Sequence, residues 1–256
     1  MSTEAVSGIN YRFLPNIWVR NEALHDGATY EEKFAYMISD KPKTGYHIYP
    51  SFVTNDKIND DGLLIAVDIE SSSLAYSELK EKAALYTAEP FNIYDAHLLA
   101  RLMLIEYGDS NIQKALSGID GKMGATYHGI KNVWGGESVG QWIYGLTTED
   151  GTIHILSNKM DGTMIDTKIA VAGSGYPTDL LTTSSLNFDL SDIFLARLQS
   201  DNATEGILSD YQCLEAESAF SSGFVSNNAI AGPFYLCNEP LDTKITNIGL
   251  RLRKAC

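Results

Sequence analysis

Apolar positions recur with helical spacing along residues 94–119, YDAHLLARLMLIEYGDSNIQKALSGI. Leu98, Leu102 and Ile105 fall on one face, and Leu99 and Met103 widen it. Asp95 stands where an N-cap or first-turn acid is favoured, and Gly108 where a helix ends. The pattern elsewhere is shorter in period. Residues 63–69, LLIAVDI, read as a buried strand, and residues 46–53, YHIYPSFV, as an extended edge segment broken by Pro50. Two β-rich runs, QWIYGLTTE and TIHILSN, flank Asp150-Gly151, a strong hairpin signal. A second hairpin is expected around Asp161-Gly162. Residues 245–252 alternate as a closing strand. Residues 77–86 predict a surface helix capped by Ser77, with Glu78 and Lys82 one turn apart. Residues 31–38 fit a short helix or a strand equally well.

Other stretches carry no regular period. Residues 173–185 predict a long polar loop holding Tyr176 and Pro177. Residues 1–10 are small and polar, as in a mobile arm. The apolar cluster that follows, in residues 11–20, contains Phe13, Ile17 and Trp18, with Pro15 excluding a central strand. A polar break at residues 40–43 divides an N-terminal anchoring segment, 1–42, from a main domain, 43–256.

Composition narrows the function. The chain has 256 residues, 21 of them glycine, and only 20% are charged, as suits a loop-rich β protein. Its net charge of −14 opposes binding to nucleic acid or to an anionic membrane surface. No apolar run reaches the roughly 20 residues a bilayer crossing needs, and residues 1–10 lack the features of a signal peptide. Cys213, Cys237 and Cys256 fit no zinc spacing and read as free thiols.

Candidate chemistry mostly fails on context. Gly136-Glu137-Ser138-Val139-Gly140 has the letters of a nucleophile elbow, but a glycine turn precedes it, a β-like run follows it, and the last histidine, His154, comes only 16 residues after the serine (154 − 138), too soon for the triad order Ser…Asp…His. The histidines, at 25, 47, 97, 128 and 154, form no local ligand pair. The stretch NDKINDDG puts Lys57 where a calcium loop needs its first acid. The expectation is no enzyme, no cofactor and no metal.

Several stretches together resemble a known group. LIEYGDSNIQ at residues 104–113 is similar to an "IEYG..NSQ" element of bacteriophage tail and fibre proteins. GIKNVWG at 129–135 is similar to their "GIENxWGN" turn, with QWIYG at 141–145 in place of the strand that follows. GLRL at 249–252 resembles the strand that closes the formylglycine-generating-enzyme type of C-type-lectin-like fold, and YHIYPSF resembles its opening strand. The elements come in the family's order across residues 46–252. The resemblance implies an α+β, C-type-lectin-like domain with one main buried helix, several hairpins and an N-terminal arm. It implies relatives among trimeric phage receptor-binding modules such as the major tropism determinant. The enzymes of this fold use a close cysteine pair in an arginine-containing segment. Cys213 and Cys237 have no arginine between them, which argues against that activity.

The reading is a bacteriophage virion protein: a head or tail fibre, decoration or receptor-binding subunit. It would attach or assemble through protein or glycan contacts. The alternatives are a carbohydrate-binding lectin domain outside a virion and a degenerate formylglycine-generating-type enzyme. Expected partners are copies of itself, most simply a trimer, other virion proteins, and a host surface glycan or protein. Tyr176, Tyr211, Phe220 and Phe224 are the candidate contact residues, and Phe13, Ile17 and Trp18 the anchors.

Overall fold

The computed structural model describes residues 3–6, 8–14, 17–22, 35–39, 47–49, 53–54, 57–58, 62–70, 73–107, 111–112, 126–135, 139–159, 161–208, 210–222 and 232–255. Gly108, Ser138, Phe224, His25 and Cys256 lie outside them, as do the side chains of Ile17, Trp18, His47 and Ile105.

Strands dominate. Among the described residues there are two α-helices, Leu79–Ala84 and Ile93–Tyr107, against 19 strands. The expected α+β, C-type-lectin-like class is therefore corrected to a β-rich fold built mainly of antiparallel sheets. Much of the extra β structure comes from stretches whose glycines, serines and threonines carry no apolar alternation. Residues 173–185, expected as a loop, contain the strand Gly173–Leu180. It pairs with Ala196–Ser200 on one side and Gln212–Leu214 on the other. Cross-strand hydrogen bonds and buried neighbours decide that conformation, not intrinsic propensity.

Two sheets frame the interior. The five-stranded one runs Thr3–Val6, Ile9–Leu14, Leu63–Ala66, Leu252–Ala255, Glu89–Pro90. The first two strands form a hairpin with Gly8 in the left-handed region, so residues expected as a mobile arm contribute to this sheet. Tyr11 pairs with Ala66 and Leu14 with Leu63. The second sheet centres on Gly140–Glu149 between Thr152–Leu156 and Ser218–Ser222. Its hairpin turns through Asp150 and Gly151 with φ of 49° and 73°. Positive φ at both positions is the type I′ signature whose twist matches the strands. The chain then returns as Met164–Ala170 through the Asp161-Gly162 loop. Residues 35–39 are a strand.

The central strands are buried on both faces, which explains their unbroken apolar runs. Leu63 and Ile65 point into one core and Leu64 and Ala66 into another. Ile143 and Leu146 join the first core and Trp142 the second. The long helix fills the first core with Leu98, Leu99 and Met103. Leu250 and Leu252, expected against this helix, belong to the second core, on the other side of the sheet. Leu102 is only half-buried. Leu99→Ala should therefore cost about 2–5 kcal/mol, and Leu102→Ala clearly less, as urea denaturation would show.

The local start signals are also specific. Asn92 caps the long helix: its Oδ1 accepts from Tyr94 N (3.0 Å) and Asp95 N (3.1 Å). Asp95 Oδ2 reciprocates by accepting from Asn92 N at 3.0 Å. This is a capping box, with Asp95 closing it three residues in. The short helix is not capped by Ser77. A 3-10 turn, Tyr76–Glu78, leads into it, and Glu78 accepts from Ala75 N at 2.9 Å. Glu78 pairs with Lys244 (2.7 Å) and Lys82 with Glu70 (3.6 Å), so the expected one-turn pair does not form. No helix among the described residues is long and apolar enough to cross a membrane.

Candidate functional site

The short helix and the hairpin of the second sheet leave a groove of about 290 Å³ between them. Ala88, Pro90 and Leu156 supply its apolar lining, and Lys80, Glu89, Asn92, Tyr144 and Asp161 its polar groups. Each is placed by an element already described. Tyr144 lies on the Gly140–Glu149 strand and stacks on Tyr76, with ring centres 5.7 Å apart and planes 21° apart. Tyr76 is itself pinned, since its hydroxyl accepts from Gly145 N at 2.8 Å. Asn92 is fixed by the helix cap. Asp161 is oriented by its own turn, where Oδ1 accepts from Thr163 N at 2.9 Å. That bond holds the Asp161 carboxyl below its usual range.

Lys80 bridges the mouth. Its ammonium donates to Gly162 O at 3.4 Å and lies 5.4 Å from the centre of the Tyr144 ring. The hydrogen bond is near the outer limit of useful geometry, so it holds the side chain only weakly. Glu89 accepts from Arg253 Nη1 at 2.9 Å. Neither the Asn92 Nδ2 amide nor the Tyr144 hydroxyl has a hydrogen-bond partner among the described residues. Asn92 is nonetheless 1% exposed.

The candidate residues from the sequence fare differently. Tyr176, on the strand Gly173–Leu180, and Tyr211, just before the strand Gln212–Leu214, come together with ring centres 5.2 Å apart at 89°. Both are half-buried, so the pair forms an aromatic ledge at the surface. Beneath it Asp210 is buried, accepts from Phe234 N at 2.9 Å, and is pushed up to about 7 by loss of solvent. Phe220 is corrected from contact residue to core: it is fully buried in the first cluster. Its neighbours Ala219 and Ser221 gave no apolar alternation to reveal that. Phe13 is half-buried against the second core. Ile17 and Trp18 lie on the strand Ile17–Glu22.

The remaining reactive groups are quiet. Cys213 and Cys237 are free, and burial pushes both thiols up, Cys237 to about 11. A nucleophilic thiolate needs the opposite shift. His97 is buried, accepts from Phe194 N at 2.6 Å and is held neutral, pushed down to about 3 by burial. His128 pairs with Glu106 at 2.8 Å on the surface.

Sequence reasoning missed the groove. Asp95 was legible as an N-cap or first-turn acid, though not its capping partner Asn92, and Asp161-Gly162 as a turn. Nothing in either pattern signals that Lys80 and Tyr144 stand between them. No family model matches the chain, and no curated protein matches it.

Proposed function

We propose that this chain is a structural subunit of a bacteriophage virion that makes attachment or assembly contacts and carries out no turnover. One observation carries the reading: the stretches that resemble phage tail and fibre proteins, LIEYG, GIKNVWG and QWIYG, are tied together in space, with GLRL as the tie. Glu106, from LIEYG, accepts from Tyr127 OH at 2.8 Å and pairs with His128, directly before GIKNVWG. Arg251, from GLRL, donates to Lys131 O and Asn132 O within GIKNVWG and to Gln141 Oε1 at the start of QWIYG. Residues up to 145 positions apart in the chain, Glu106 to Arg251, thus form one interlocked framework. A tied framework with side chains and loops standing on it suits a scaffold that presents contact surfaces to partners.

In this reading the aromatic ledge of Tyr176 and Tyr211 and the Tyr144 groove face a partner. The N-terminal segment with Phe13, Ile17 and Trp18 joins subunits into a homotrimer. The test is composition. Mass spectrometry of purified particles from a lysate carrying the gene should find the chain in stoichiometric amount, and native mass measurement of the purified chain should give a trimer. Absence from the particles overturns the virion assignment. A monomer at every concentration overturns the oligomer alone.

A further inference from the structure

We propose that the groove between the short helix and the Asp161-Gly162 turn is a binding site for one neutral pyranose residue of a glycan, a proposal that rests on the attachment reading above. The first argument is its unmet polar capacity. Asn92 is almost wholly buried, yet its Nδ2 amide lines the groove with no protein acceptor among the described residues. The Nδ2 amide keeps contact with solvent, so a ligand acceptor placed there exchanges for water at a donor that the fold already holds in place. The carboxamide orientation is fixed, because two backbone N–H groups already donate to its Oδ1. The donor therefore cannot turn away.

The second argument is the mixed lining. Donors (Lys80 ammonium, Asn92 amide, Tyr144 hydroxyl) and acceptors (the carboxylates of Glu89 and Asp161) belong to the same groove. A simple anion would face two carboxylates, and a simple cation would face Lys80. A hydroxyl both donates and accepts, so vicinal hydroxyls on a ring satisfy such a lining with no net charge. The groove also offers apolar contact for the C–H faces of a sugar, from Tyr144, Pro90 and Leu156. The volume sits at the lower end of small-molecule sites, ~300–1,000 Å³, which suits one ring and not an oligosaccharide. A terminal or branch sugar is the form that fits.

Lys80 is the movable part. Exposed and weakly tied to Gly162 O, it can leave that contact for a sugar hydroxyl and close over the ring. The rest of the site is held by the stacked Tyr76 and the helix cap, so binding needs little reorganisation elsewhere.

The test uses the full chain and a panel of neutral methyl pyranosides at millimolar concentration, followed by saturation-transfer NMR. Sodium glucuronate and glucosamine serve as charged comparisons. At least one neutral pyranoside should bind, with transfer to its ring C–H protons. Asp161→Asn and Lys80→Met change exposed side chains that the core does not need. Each should weaken binding about tenfold, and Ala88→Trp, which fills the groove, should abolish it. Binding by none of the neutral sugars overturns the site. So does preference for glucuronate or glucosamine, or binding that survives all three substitutions. Sugar binding by a chain that is absent from particles would sink the virion assignment and leave the groove standing. Incorporation into particles without sugar binding would do the reverse.

Discussion

Replacing Arg251 by Met should lower stability by about 4 kcal/mol or more, among the larger effects a single substitution produces. The guanidinium is fully buried between Leu250 and Leu252. Its Nε donates to Gln141 Oε1 (2.8 Å), Nη1 to Ala66 O (2.6 Å) and Val67 O (3.0 Å), and Nη2 to Lys131 O (2.7 Å) and Asn132 O (2.9 Å). All five donors are used, and all five acceptors would lose a partner. Each buried acceptor left unpaired costs ~1–3 kcal/mol, partly offset by water entering the site. Burial lowers the group to about 9, so it stays charged at neutral pH. Among the described residues no carboxylate hydrogen-bonds it; Asp68 favours its charge without such a bond, and the carbonyl dipoles hold it directly. Arg251→Lys should recover little, because an ammonium has three donors and no planar fork. In a chain of this size the Met variant should melt ~8–16 °C lower by differential scanning calorimetry. A shift of a degree or two would mean the carbonyls find other partners, and the framework account would fail.

The second large effect concerns Arg253, and its size depends on pH. Arg253 Nε lies 3.2 Å from Asp95 Oδ2, and Asp95 is completely buried. Desolvation raises that carboxyl most; Arg253 and the hydrogen bond from Asn92 N lower it, Glu89 raises it a little, and desolvation wins, leaving it at about 6 against an ordinary 3.8. Asp95 Oδ1 has no hydrogen-bond partner among the described residues, which leaves a place for the proton. Between pH 3.8 and about 6 the unfolded chain has released this proton while the fold retains it. Stability from this group is thus complete below the unfolded value and is lost as pH rises through the folded one.

Arg253→Met removes the only influence of an opposite charge on Asp95, so the folded value climbs and the loss with rising pH steepens. At pH 7.5 the variant should be ~3–5 kcal/mol less stable than the wild type, the usual cost of stranding one member of a buried pair. At pH 5, where Asp95 can remain protonated, the cost should be visibly smaller. Urea denaturation at the two pH values checks this. An equal cost at both would show that Arg253 acts through packing, or through Glu89, and not through Asp95. The double variant Arg253→Met with Asp95→Asn should recover most of the loss at pH 7.5, since an amide can still accept from Asn92 N in the capping box.

These two arginines show how differently neighbouring residues carry information. GLRLRK alternates as a strand would, but the closing strand is Leu252–Ala255, which meets the expected 245–252 only at Leu252; within that range only Ile248–Gly249 is a further strand. The alternation says that Arg251 and Arg253 share a face. It cannot say that the face is buried, because the carbonyls of residues 66, 67, 131 and 132 come from elsewhere in the chain. A charged residue in a strand reads as a solvent position unless those partners are known.

What the sequence determined by itself was local. The long helix was legible because 15 residues, Ile93–Tyr107, carry their own periodicity with an acid, Asp95, in the first turn. The Asp150-Gly151 hairpin was legible because only residues tolerant of positive φ can make that turn. Tertiary structure decided whatever depended on distant partners. Gly173–Leu180 is a strand because Ala196–Ser200 and Gln212–Leu214 flank it, and this shifts the fold from α+β to β-rich. Phe220 is core and Tyr211 is surface because one faces the packed interior of the second sheet and the other stands against Tyr176 at the edge. The groove is the clearest case. Lys80, Asn92, Tyr144 and Asp161 lie on four separate elements, each folded for its own local reason, and only their packing makes them neighbours.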